Sequence, residues 1–126
     1  MKRIRLVIML MFITFAFVYC NEQNTKLLLA GQWNTVESNL DKDLICDRVE
    51  FFNDGTGVSE WNNLRGVGAW AESFTWKIGA DGRLIMMAPN GMAQIYSIVE
   101  ISKSTLVLEG NVPGYGNVRE KYSKLK

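Results

Sequence analysis

The sequence contains no histidine, so the commonest general base and the commonest metal ligand are both absent. Two cysteines, Cys20 and Cys46, cannot complete a structural zinc site, which takes four N or S ligands. Asp41, Asp43 and Asp47 form an acidic cluster with the charge for calcium. They lack the glycine and the closing glutamate of a known calcium loop. Gly66-Val67-Gly68 and Gly114-Tyr115-Gly116 have the composition of phosphate cradles, yet neither follows a strand and opens a helix. Serines, lysines and other carboxylates occur without a nucleophile elbow or a base to activate a hydroxyl. These residues predict a protein that is not an enzyme and uses no cofactor or metal.

The side chains left for binding are aromatic, sulfur-containing or, in one case, cationic. Trp61, Trp70 and Tyr115 lie in or beside segments that read as loops, and form either an aromatic rim for a ligand or a cap folded over the core. Met86, Met87 and Met92 flank another loop, where methionine serves equally as adaptable pocket lining and as core filler. Arg65 is the one cation between Asn62 and Ala71; it can meet an anionic head group or stay solvated. The candidate ligand-binding set is therefore Trp61, Arg65, Trp70, Met87, Met92 and Tyr115. A net charge of +1 over 126 residues, with no internal cluster of Lys and Arg, argues against nucleic acid as a partner.

Short strands must position these residues, because apolar and polar residues alternate from Gly31 onward between Gly, Asn and Asp turns. Phe74, Trp76 and Ile78 share one face of a strand at Ser73–Ile78, and Val49 and Phe51 share one face of Arg48–Phe52. Asn53-Asp54-Gly55 is a tight-turn signal. Further strands are expected at Gln32–Glu37, Gly57–Trp61, Arg83–Met87 and Ala93–Ile101, the last with Ile95, Val99 and Ile101 on one side. Thr105–Glu109 and Asn117–Tyr122 bring the number to eight. Eight short antiparallel strands predict an all-β, up-and-down barrel, which closes and leaves no edge; a two-sheet sandwich would need a long connection that is missing. In such a meander alternate connections share an end. The longer loops 38–45, 62–71, 88–91 and 111–116 therefore gather at one mouth, where ligand sites lie.

Lys2, Arg3 and Arg5 precede an apolar run from Leu6 to Tyr19, the layout of a secretory signal and too short to span a bilayer. Cys20 ends the run and a polar stretch follows it. This resembles the signal of bacterial lipoproteins, in which the cysteine is acylated, though Tyr19 stands where a small residue is usual. The resemblance implies a signal peptide at 1–19, a polar tether at 20–30, and a barrel domain at 31–126. It also implies membrane attachment at the bacterial cell envelope. Leu27-Leu28-Leu29 is expected to cover apolar surface at one end of the domain. A soluble periplasmic or secreted protein with a Cys20–Cys46 disulfide is the alternative.

Gly31-Gln32-Trp33 before a short strand resembles the Gly-x-Trp opening of the lipocalins. Phe51-Phe52-Asn53-Asp54-Gly55-Thr56-Gly57, Phe74-Thr75-Trp76-Lys77-Ile78 and Tyr96-Ser97-Ile98 extend the likeness to small lipocalin-like domains of bacterial envelope lipoproteins. The resemblance implies barrel closure by Gly31 and Trp33, with Arg119 packed across the indole. Arg119 and Tyr122 are three apart and so face opposite ways, which rules out the carboxylate clamp of fatty-acid-binding barrels. The expected function is binding of a small apolar ligand at the long-loop end. The alternative is a non-catalytic interaction or inhibitor module that docks an envelope protein.

Overall fold

The computed structural model describes residues 22–125. Residues 22–29 are helical, and eight strands follow: β1 (Gly31–Ser38), β2 (Arg48–Phe51), β3 (Thr56–Trp61), β4 (Trp70–Ile78), β5 (Leu84–Met87), β6 (Ala93–Ile101), β7 (Thr105–Val112) and β8 (Gly116–Lys124). Each pairs antiparallel with the next, and β8 returns to β1, so the sheet is a closed barrel in sequence order. Closure leaves no edge to template association. All eight expected strands are present. The largest differences are at β4, which begins three residues earlier than expected, and β7, which runs three further.

Alternation decides what is inside. Along β8, Val118, Glu120 and Tyr122 are buried, while Asn117, Arg119 and Lys121 are exposed. Phe51, Phe74 and Trp76 meet edge to face, with ring centroids 5.6 and 5.4 Å apart. This geometry sets the positive ring edge on the negative ring face. Gly57 sits directly opposite Phe74 in the β3–β4 register. A Cβ at Gly57 would fall 2.3 Å from the Phe74 ring and 2.6 Å from the Glu50 carbonyl oxygen, so the aromatic core requires glycine there.

Strand β6 corrects one expectation. Ile95, Val99 and Ile101 do not share a face, because a register shift between Ile98 and Glu100 inserts an extra residue. Tyr96 and Ile98 face the core before the bulge and Ile101 after it, which leaves Ile95 and Val99 exposed.

One end of the barrel is sealed. Trp33 and Leu29 have no exposed surface, and the Trp33 indole N–H donates to the Leu29 carbonyl at 2.9 Å. Lys124, opposite Trp33 in the β1–β8 register, places Nζ 4.7 Å from the indole centroid. The same ammonium donates to the carbonyls of Leu28 at 2.8 Å and Ala30 at 2.6 Å. Carbonyls at a helix C-terminus have no intrahelical donors, and a cation there is also favoured by the helix dipole.

Two expectations are revised at this end. Arg119 does not pack across Trp33; it lies on the outward parity of β8 and pairs with Glu109 at 2.9 Å. Lys124 takes the place over the indole because it shares the inward parity of Tyr122. The described part of the stretch expected to be a polar tether is a helix whose last residue, Leu29, enters the core, as expected of the leucine run, while Leu27 stays exposed. Residues 1–21, including the signal segment and Cys20, lie outside the described residues.

Candidate functional site

The other end of the barrel opens into a cavity of about 420 Å³. That lies within the 300–1,000 Å³ typical of small-molecule sites. All four loops expected at the mouth contribute to its wall. Leu40 and Leu44 come from the β1–β2 connection, and Leu64 and Arg65 from the β3–β4 connection. Ala88, Asn90 and Met92 come from the β5–β6 turn, and Tyr115 from the β7–β8 turn. Deeper in, Val49, Phe51, Met86 and Leu108 supply apolar walls.

Hydrogen bonds across the mouth fix these loops to one another. The Trp61 indole donates to the Leu44 carbonyl at 3.2 Å, tying the strand edge to the first loop. Arg65 Nη2 donates to the Tyr115 hydroxyl oxygen at 3.1 Å. Arg65 holds a left-handed backbone conformation, φ 52° and ψ 31°, which costs an L-residue about 1–2 kcal/mol. The Asp47 carboxylate accepts from the Asn62 backbone N–H at 2.6 Å, so this acid serves as a loop tie. Among the described residues no group of three or more acidic or thiol side chains is placed to hold a metal.

Four of the six expected ligand residues line the cavity: Trp61, Arg65, Met92 and Tyr115. Trp70 does not. It lies opposite Trp61 at the rim, 53% exposed, with its indole N–H donating to Glu72 Oε1 at 3.2 Å. Met87 is also displaced, because it faces outward. Met86 pairs directly with Trp76 and, facing inward with it, takes the wall position. The hairpin register decides between the two methionines.

The polar part of the wall was missed. Cys46, Tyr96, Glu120 and Tyr122 all line the cavity. Cys46 is held by its thiol, which donates to the carbonyls of Arg48 at 3.0 Å and Glu60 at 3.4 Å. Burial pushes the thiol up to about 12, so it is protonated and a weak nucleophile at neutral pH. The Tyr96 hydroxyl donates to Gln94 Oε1 at 2.7 Å, and burial raises it as it raises Tyr122. Glu120 is 8% exposed. Its Oε2 has no hydrogen-bond partner. Burial holds its carboxyl above the usual carboxylate range, against the opposing hydroxyls of Tyr122 and Ser38. The alternation Val118-Arg119-Glu120-Lys121-Tyr122 carried the signal: two apolar neighbours at i−2 and i+2 place Glu120 inside.

No protein-family model matches the chain, and no curated protein does. Among solved structures the barrel is similar to bovine odorant-binding protein in complex with undecanal. The TM-score is 0.53 with 18% identity, over 78% of this chain and 72% of that one. It is also similar to the bovine protein bound to a selenium-containing odorant, with a TM-score of 0.52 and 17% identity over 78% and 71% of the two chains. At these identities the likeness is one of fold, and the fold is the lipocalin-like barrel.

Proposed function

We propose that this chain is an exported, non-catalytic lipocalin-like protein that holds a small, mainly apolar molecule at the long-loop end of its barrel. The observation that carries the reading is the 420 Å³ cavity, open among all four long loops and walled largely by apolar side chains. A barrel of this size can be filled by its own side chains, and a filled interior would have favoured a docking module instead. The bovine odorant-binding protein is similar in fold and its structures hold undecanal and a selenium-containing odorant, which supports the same use of the cavity here. The carrier is anchored in the bacterial cell envelope through an acylated Cys20.

A second reading has one observation in its favour. The rim exposes Val67, Trp70, Met92 and Tyr115, an apolar collar of the kind that marks a protein-docking surface. Titration of the purified protein with the neutral apolar dye N-phenyl-1-naphthylamine separates the readings. Saturable fluorescence at one site per chain, abolished by filling the cavity with Ala88→Trp, is the expected result. Absence of saturable binding would remove the carrier reading and leave the collar. The anchor is tested separately by the intact mass of protein taken from its own membranes: a bare Cys20 would remove it.

A further inference from the structure

Glu120 is a carboxyl group built into a binding cavity with no protein partner for one of its oxygens. A buried polar atom without a partner is costly; the hydroxyls of Tyr122 and Ser38 reach this carboxyl, and Oε2 is still left over. Other polar groups on the wall are engaged elsewhere. The Tyr96 hydroxyl hydrogen is already committed to Gln94 and the Cys46 thiol to the Arg48 carbonyl. The Trp61 indole N–H is committed to Leu44 and the Arg65 guanidinium reaches Tyr115. The inner wall thus keeps one carboxyl oxygen without a protein donor. A second carboxylate, Glu72, stands nearer the mouth.

We propose that the ligand is a cationic amphiphile, a primary amine with an apolar body, whose ammonium group is received by the Glu120 carboxylate on the inner wall. The inference rests on the carrier reading above and names the ligand class for the same cavity. An ammonium has three donors and no acceptor, so it complements the partnerless Oε2, and a charge-assisted bond to a carboxylate is stronger than a neutral one. The apolar body then fills the space between Phe51, Met86, Leu108 and the loop leucines. Before binding, burial favours the neutral carboxyl. An opposite charge within a few ångströms reverses that preference, so the anchor ionises when the amine is present.

The test is competition of decylamine and decanol, equal in chain length, against N-phenyl-1-naphthylamine on the purified protein. The expected result is that decylamine binds at least tenfold more tightly than decanol. Glu120→Gln should reduce the amine to the alcohol's level while changing the alcohol less than threefold, and Glu72→Gln should leave most of the amine's advantage. Equal binding of amine and alcohol to the unaltered protein would overturn the amine proposal and leave the carrier reading intact. That comparison needs no variant. An amine preference that survives Glu120→Gln would overturn the assignment of the anchor. Failure of dye, amine and alcohol alike to bind would remove the carrier reading itself.

Discussion

The two ends of this barrel are built from the same alternating strands but solve opposite problems. At the sealed end Trp33, Leu29 and Lys124 satisfy one another: the indole N–H, the helix carbonyls and the ammonium all have partners. At the open end the loops are tied around a space rather than packed into it. One carboxyl on its wall is left with an oxygen unpartnered. Polar groups at the floor are fully paired, whereas the cavity wall leaves Glu120 Oε2 available. Stability should therefore depend on the floor and binding on the mouth.

Trp33→Ala is the most direct attack on that division. Removing a fully buried tryptophan costs about 3–5 kcal/mol, and here it also orphans the Leu29 carbonyl. Denaturant titration should show a loss of that size, enough to unfold a marginal domain. Gly57→Ala comes next. The added methyl group would meet the Phe74 ring and the Glu50 carbonyl, and overpacking of this kind costs about 1–3 kcal/mol. Lys124→Met keeps the apolar stem but removes the cation from Trp33 and the helix carbonyls, for a loss of about 1–2 kcal/mol. Hydrogen exchange should then show residues 22–29 opening ahead of the strands.

At the mouth the sign is different. Because burial raises the Glu120 carboxyl above its ordinary value of 4.5, the folded state holds that proton more tightly than the unfolded chain. Its contribution to stability is fully present below pH 4.5 and is lost as pH rises through the folded-state value. Glu120→Gln cannot ionise. It should gain stability relative to the unaltered protein as pH rises across that window, measured by melting at a series of pH values. Ser38, Tyr96, Tyr122 and Cys46 face this carboxyl and stay uncharged throughout. The smallest effect is expected at Arg119, whose exposed pair with Glu109 should be worth under about 1 kcal/mol. Arg119→Gln should leave the Trp33 fluorescence unchanged.

Much of this contrast was legible in the sequence. Period-two alternation and the Gly-containing turns located all eight strands, and meander geometry put the longer loops at one end. What escaped depended on parity and register. Arg119 and Lys124 are both cations of β8, and only the inward phase shared with Tyr122 puts Lys124 over the indole. Met86 and Met87 are neighbours, and the pairing of Met86 with Trp76 selects the wall residue. The β6 bulge put Ile101 out of phase with Ile95 and Val99, because a local insertion breaks the alternation without leaving a compositional mark. Glu120 was readable from its buried neighbours, but a glutamate in a Lys-rich and Arg-rich strand looks like a surface residue until the phase is followed through.

The central claim is that a ligand enters at the loop end and leaves the floor undisturbed. The four tryptophans place reporters at both ends. Their indole N–H signals can be followed by 1H–15N NMR during titration with undecanol, each assigned by a single Trp→Phe variant. The account predicts a saturable shift of the Trp61 signal, with those of Trp33 and Trp76 unmoved. A saturable shift at Trp33 or Trp76 with Trp61 unchanged, or no saturable shift at all, would contradict it.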